Sequence, residues 1–465
     1  MTINSIQRKL KKYAFWGGGL LLLASCQTIK YTYQKHDGIA KGIYRDMENQ
    51  TDTSNIASLS WTQMFTDPIL QDDIRKALQN NFDLNIARTR INQARANFRQ
   101  SKAALFPTVD ANGEVTLSRA GRQSGFDKVY DMSVGASWEV DIWGKLRDTK
   151  KAYLNSLLES EAYKRSVRTE LIAEVATYYY TLVAYHSEMK ILEQTLSTYK
   201  EDVRTMKKLM ESDRATGADL VESQANEYSA SISISELKQS IRETENSLCL
   251  LLAEVPGPVK YASLDKQLFP VDLKTGVPVQ LLSNRPDVQE AEFQLRYYSD
   301  MVHVARAYFY PQLNITGEAG YSKDLISEFF NPSNFFANLV GGLTAPIFEN
   351  RKNKQRLEVA KAEQKEYLLT FKQTVLSAGV EVSNALYAYA IGKEKMQNRN
   401  KEVEALTKAT NYTKKLLQFT SSTNYTDVLT AEQSLLSARL DEVGDQLDQL
   451  SAVIELYRSL GGGIK

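Results

Sequence analysis

The residues able to do covalent or acid–base chemistry are few in this chain, and they do not assemble. Its 465 residues hold three histidines, His36, His186 and His303, and none is followed three or four residues on by a second ligand-type residue in a recognisable motif, the spacing that metal motifs need. Cys249 lies inside the apolar stretch Leu248-Cys249-Leu250-Leu251, where a buried, inert thiol is expected. No glycine-rich phosphate loop ending in Gly-Lys is present, and Gly461 to Gly463 follow a periodic apolar segment as a helix stop. The Tyr178-Tyr179-Tyr180 cluster suits helix packing. No nucleophile, base and orienting group converge, so an enzyme is not expected, and neither is a metal or bound cofactor.

Cys26 is the exception. It closes Leu23-Ala24-Ser25-Cys26 at the end of an apolar run from Ala14 to Ala24, itself preceded by Arg8, Lys9, Lys11 and Lys12. That order is a secretion signal, and its last four residues are similar to a bacterial lipobox, so cleavage before Cys26 leaves a thiol that carries a covalent lipid. With Cys26 acylated, Cys249 has no disulfide partner. The formal charge of +1 becomes −3 once the four basic residues leave with the signal. So neutral a chain, without a basic stripe, does not bind nucleic acid. No later segment reaches the run of apolar residues a spanning helix requires, so any membrane-embedded part must be a β-barrel.

The elements that would position such a chain are written twice. Leu78, Asp83, Ala87, Ala103, Pro107, Gly113 and Glu114 recur as Leu282, Asp287, Ala291, Ala307, Pro311, Gly317 and Glu318, an offset of 204 residues, and Leu182, Ala184 and Tyr185 recur as Leu386, Ala388 and Tyr389. After Pro107, Val109, Ala111, Gly113, Val115 and Leu117 alternate with Thr108, Asp110, Asn112, Glu114, Thr116 and Ser118. Beyond a turn around Gly121 to Gly125, Tyr130, Met132, Val134, Ala136 and Trp138 alternate with Asp131, Ser133, Gly135, Ser137 and Glu139. Strict period two makes a β-hairpin. The second copy repeats it through Leu313, Ile315, Gly317, Ala319 and Tyr321, then Phe335, Ala337, Leu339, Gly341 and Leu343. Each strand has the length a tilted strand needs to cross a bilayer, although a half-buried soluble sheet alternates in the same way. Four strands cannot close a membrane barrel alone, so several chains would have to share one.

Long helices are expected from Lys145 to about Ser212 and from Lys352 to about Phe419, each on the order of 100 Å at about 1.5 Å per residue. The returning segments carry coiled-coil spacing. Ile234, Leu237, Ile241, Thr244, Leu248 and Leu251 form one series, and Leu436, Leu440, Val443, Leu447, Leu450, Ile454 and Tyr457 the other. The expected organisation is a signal over 1–25, a lipidated tether over 26–60, and a first repeat over 61–254 with its hairpin near 108–140. A linker over 255–277, a second repeat over 278–460 with its hairpin near 312–345, and a tail over 461–465 complete it.

These motifs resemble the TolC-like outer membrane factors, in particular their lipoprotein branch of the OprM and NodT type. Trp61, Phe65, Asp67-Pro68, Leu70, Leu78, Asn81 and Asp83-Leu84 match the family's opening signature, and Trp138-Glu139-Val140-Asp141-Ile142-Trp143-Gly144 its motif after the first hairpin. Leu281-Leu282, Arg285-Pro286-Asp287-Val288, Ala291-Glu292 and Phe309-Tyr310-Pro311 form the most specific block, continued by Pro346-Ile347-Phe348 and Asp427-Val428-Leu429-Thr430-Ala431-Glu432. The resemblance implies a mainly α homotrimer, each chain giving four strands to a twelve-stranded outer-membrane barrel above a long periplasmic α-helical barrel. It also implies a passive exit channel for an inner-membrane RND-type pump reached through a periplasmic membrane-fusion adaptor. A channel for type I protein secretion is the alternative within the class, and a lipid-anchored periplasmic coiled-coil protein the alternative outside it.

On that resemblance Asp131, Ser133, Glu139, Glu114 and Glu318 line the barrel's water-filled pore, while Val115, Tyr130 and Trp138 face outer-membrane lipid. Asp427, with Thr430 beside it, stands where the family narrows the periplasmic end, and Asp219 in Ala218-Asp219-Leu220 is the first copy's candidate. Asp427 equally suits the first turn of the last helix, where the helix dipole favours an acid. At the helix tips Asp213 and Thr420 stand where a glycine is usual, as does Glu349-Asn350-Arg351 after the second hairpin. Aspartate tolerates the left-handed geometry of such a turn and β-branched threonine does so poorly, so Asp213 is expected to keep it, while the turns at Thr420 and after the second hairpin are expected to depart from the family pattern.

Overall fold

A computed structural model describes residues 60–119, 126–264, 285–419 and 424–462. Cys26, the signal and most of the tether, His36, Leu281-Leu282, Thr420 and Gly463 lie outside the described residues, as does most of the linker. The chain divides into two compact units. One takes residues 99–153 and 296–364, the other the described residues of 38–98, 154–295 and 365–465.

The first unit is built on the sheet. Helices α3 (Phe82–Ala103) and α6 (Pro286–Ala307) end just before the strands, and β1 (Thr108–Ser118), β2 (Asp127–Val140), β3 (Gln312–Lys323) and β4 (Phe335–Thr344) pair antiparallel in that order. The register places Val115 opposite Tyr130, Trp138 opposite Ile315 and Leu339 opposite Gly317, and it places Glu114 opposite Asp131 and Glu139 opposite Asn314. The two parities read from the sequence are therefore the two faces of one sheet. At one end, Trp138 Nε1 donates to Leu105 O at 3.0 Å, and Trp143 Nε1 donates to Pro311 O and stacks on Tyr310 with centroids 4.8 Å apart. At the other, Tyr321 gathers Phe329, Phe330 and Phe335 around it, centroids 5.7–6.2 Å away. Aromatic side chains at both ends of an apolar band are the mark of a strand crossing a membrane.

The second unit is helical. It holds α1 (Trp61–Met64) and α2 (Pro68–Asn80), most of α3, the start of α6, most of α4 (Lys145–Glu211) and α7 (Lys352–Phe419), and all of α5 (Gly217–Leu252) and α8 (Tyr425–Ser459). Both long helices match their expected spans to within a residue. Helix α2 starts where Asp67 Oδ1 accepts from Ile69 N, with Pro68 in the first position, because proline fixes the helical φ and gives up a donor that would be unpaired there. Phe65 packs edge-on against Tyr457 at 5.9 Å, and Tyr179 donates to Asp67 Oδ2 at 2.5 Å while accepting from Ala262 N. The described start of the linker thus packs on the helices, as Val259 also does through Glu245 Oε1.

The heptad positions Ile234, Leu237, Ile241, Thr244 and Leu248, and Val443, Leu450, Ile454 and Tyr457, are buried. Cys249 is buried too, with its thiol against Gly257 O. Helix α8 ends on Gly461 at φ +75°, with Gly462 N donating to Tyr457 O and Gly461 N to Arg458 O, the paired bonds of a Schellman stop. Arg285 seals that end. Only 4 % exposed, it donates to Ser459 O at 2.7 Å, to both Asp287 oxygens and to Glu381.

Candidate functional site

The sheet's two faces differ in chemistry. Val109, Val115, Leu117, Met132, Val134, Phe335, Leu339 and Leu343 all lie exposed on one of them. The other carries Asp110, Asn112, Glu114, Thr116, Asp131, Ser133, Ser137, Glu139, Asn314, Thr316, Glu318 and Asn338, interrupted by Val129 on β2 and by Phe336 and Val340 on β4. All five residues expected to line a pore therefore share one face. Glu114 sits directly opposite Asp131. Like charges facing each other across strands are unfavourable unless water screens them, so this face is a wet one.

Two of the five depart from a bare pore lining. Ser133 is buried beside Gly320, where an added Cβ would lie 2.2 Å from Met132 O. Glu139 is held by Lys145 Nζ at 2.5 Å, and that ammonium lies 5.1 Å from the Tyr308 ring. Glu139 thus has a cationic partner, while Glu114 and Asp131 face each other across β1 and β2.

The helix tips in the second unit hold the other candidates. Helix α4 stops in a Schellman turn: Arg214 N donates to Leu209 O, Asp213 N donates to Met210 O, and Asp213 takes φ +54°. The expectation of a left-handed aspartate there holds. The next helix starts with a capping box in which Asp219 Oδ2 accepts from Thr216 N at 2.8 Å and from Thr216 Oγ1 at 2.7 Å. Those bonds hold the Asp219 carboxyl below the usual carboxylate range. Helix α8 starts the same way, with Asp427 Oδ2 accepting from Asn424 N at 3.1 Å and Asp427 N donating to Asn424 Oδ1 at 2.9 Å. Asp427 and Thr430 are exposed, the Thr430 hydroxyl turned back onto Thr426 O. Both gate candidates are therefore capping residues, whatever else they do. Between the tips Met206, Leu209 and Leu220 of the first copy pack on Leu417, Tyr425, Val428 and Leu429 of the second.

Just behind that cluster lies a group the sequence did not announce. Asp202 of α4 neighbours Glu432 and Tyr425 of α8, and Lys414 of α7 pairs with the buried Glu432. Burial and the Glu432 carboxylate push Asp202 up to about 7, with Lys414 pulling the other way. Its members are up to 230 residues apart, and each looked like an ordinary polar position on a periodic helix.

Among the described residues no group of acids, cysteines or histidines could hold a metal, and no helix is long and apolar enough to cross a membrane. His186 stacks on Tyr261 at 3.7 Å as a packing residue.

The model of the outer membrane efflux protein family matches residues 74–254 and again 277–462, one match for each copy of the internal repeat. The chain belongs to that family. It is an outer-membrane efflux channel, a transport protein and not an enzyme. The probable efflux pump outer membrane protein TtgC of Pseudomonas putida is 30% identical over 419 residues, covering 88% of this chain and 86% of the relative. The probable outer membrane lipoprotein SilC of Salmonella typhimurium is 24% identical over 448 residues, covering 96% and 97%. The open state of the Neisseria gonorrhoeae MtrE outer membrane channel superposes with a TM-score of 0.82 at 26% identity, covering 90% of this chain and 94% of that one.

Proposed function

We propose that three copies of the channel join their sheets into one twelve-stranded barrel and serve an RND-type inner-membrane pump through a periplasmic adaptor. The observation that carries this is the sheet itself. It has one exposed apolar face, one carboxylate-bearing face, and edges at β1 and β4 with no strand partner among the described residues. Open edges are not tolerated in hydrocarbon, so the sheet must close with further copies.

Cys26 anchors each copy through its lipid, a reading supported by the lipoprotein description of SilC. Glu114, Asp131 and Glu318 line the exit, and Asp427, Thr430 and Asp219 stand where the periplasmic end narrows. Three copies of Asp427 would form an acidic ring of the kind that favours cations. The chain moves cargo passively, and the choice of cargo rests with the pump.

The test is export in a strain lacking the gene. The native chain restores export, and a chain lacking 129–140 does not, although it is made and sorted. Export restored by the shortened chain would overturn the barrel reading. Cys26→Ala tests the anchor by mass spectrometry of the mature N-terminus: the native protein carries acyl chains and the variant none.

A further inference from the structure

The internal duplication lets one contact inside the chain stand in for one that the chain cannot make alone. Within one copy of the protein, β2 of the first repeat pairs with β3 of the second, Trp138 facing Ile315 and Val140 facing Leu313. In the closed barrel of the preceding section, on which this inference rests, β4 of the second repeat meets β1 of the next copy's first repeat. That is the same junction one repeat further on. Residues of β1 and β3 correspond at the offset of 204. The hairpin registers Thr108 to Ser137 and Gln312 to Thr344 then make Ser137 correspond to Thr344. Carrying the β2–β3 register across gives one alignment for the seam. We infer that β4 pairs with β1 of a second copy so that Leu339 faces Leu117, Gly341 faces Val115, Leu343 faces Gly113 and Ile347 faces Val109.

Three further observations agree. The alignment keeps both faces: Leu339, Gly341 and Leu343 meet apolar-face residues, while Val340 and Gly342 meet Thr116 and Glu114 of the polar face. It also sets large against small. Gly113, Gly341 and Gly342 have open space where a Cβ would be, and each receives a larger side chain from across the seam. Moving β4 by two residues in one direction would keep the faces but place Gly341 against Gly113, leaving a gap in the lipid face. Lastly, it employs apolar surface left idle in the single chain. After β2, extended pairing continues to Val140 and Trp143 then stacks on Tyr310. After β4 the corresponding segment is bare, Ile347 being 98% and Phe348 82% exposed, and the ring at the Tyr310 position of the first repeat, Phe106, is 66% exposed. In this register Phe348 stands opposite Thr108 of the next copy, so it is the diagonal neighbour of Phe106 on the same face, a spacing that aromatic side chains span.

Paired cysteines read the register. In a Cys249→Ala background that keeps Cys26 for the lipid, Leu117→Cys is combined with Leu339→Cys, with Ala337→Cys or with Gly341→Cys, and membranes are oxidised. Residues directly opposite lie within disulfide reach, whereas positions two along are about 7–8 Å off. A bond within one chain is ruled out, because β1 and β4 are three strand spacings apart, roughly 14 Å. Val340→Cys with Thr116→Cys covers the neighbouring rung, since one of two adjacent rungs has the closer side chains.

The expected result is a covalent dimer and trimer ladder on denaturing gels for Leu117/Leu339 or Thr116/Val340, at least tenfold stronger than for the displaced pairs. A ladder strongest for Ala337 or Gly341 overturns this register while leaving the shared barrel intact. No ladder from any pair, in protein that still reaches the outer membrane, overturns the register and the shared barrel together. Phe348→Ala gives a second reading: it lowers the temperature at which the trimer dissociates in detergent, and Phe106→Ala adds nothing further. Fully additive losses would refute the Phe348 contact.

Discussion

Asp427 has two jobs open to it, and two substitutions separate them. Its carboxylate closes a capping box with Asn424 through bonds of 3.1 Å and 2.9 Å, and it lies exposed at the tip. Alanine removes the returning bond and the negative charge at the helix N-terminus together. The lost cap costs about 1 kcal/mol and the lost charge about 0.3–1 kcal/mol. Asparagine keeps an acceptor for Asn424 N and loses only the charge. Three copies share one tip, so alanine weakens the closed arrangement by roughly 4–6 kcal/mol and asparagine by roughly 1–3 kcal/mol. At about 1.4 kcal/mol per decade, that separates the two variants by about a hundredfold in open probability. Single-channel recording in planar bilayers under a KCl gradient measures open probability and reversal potential at once. Both variants are expected to lose cation preference equally, and alanine to open far more often. A reversal potential unchanged by Asp427→Asn refutes the acidic ring. Equal open probabilities refute the capping contribution.

Other substitutions follow from local geometry. Ala253 and Arg351 sit at φ +56° and +65° without being glycine, so Ala253→Gly and Arg351→Gly should each stabilise by about 1 kcal/mol, visible as a higher melting temperature in detergent. Arg285→Ala strands the buried Ser459 carbonyl and Glu381 at a cost of about 3–5 kcal/mol, read as faster proteolysis near the end of α8. Asp202 is harder to ionise folded, at about 7, than at its ordinary 3.8. Its contribution is complete below the ordinary value and is lost as pH rises through about 7. The native melting temperature should therefore fall from about pH 4 to about pH 7, and Asp202→Asn should flatten that slope; a slope of opposite sign counts against the buried carboxyl.

The parts of the fold governed by local periodicity were legible in the residues. Period-two runs after Pro107 and Pro311 gave the strands and their faces, and the three-four spacing in α5 and α8 gave the buried seams. The left-handed turn at Asp213 was legible too, because few residues other than glycine tolerate that geometry. Arg351 was harder to anticipate: nothing about arginine favours a positive φ, and only its match to Gly144, at φ +81° before the first long helix, explains it. The Glu139–Lys145 pair needed the turn through Asp141 to be known before six residues of separation became contact. The group of Asp202, Lys414, Tyr425 and Glu432 joins three helices, and no local pattern encodes such a meeting. The capping roles of Asp219 and Asp427 were half visible, since an acid three places into a helix suits both a cap and a ring.

The stagger of the sheet settles something that no single residue does. Thr108 lies level with Ser137 and, through it, with Thr316, yet its counterpart in the second repeat is Gln312. Each hairpin therefore climbs four residues, about 13 Å, before the pattern repeats. In a closed cylinder that climb fixes how steeply the strands lean, and a steeper lean spreads the same number of strands around a wider bore. The diameter of the exit is thus written in the hairpin registers and not in the carboxylates that line it. Replacing those carboxylates changes which ions pass; deleting two residues from one strand, with both faces preserved, would change how large a solute fits.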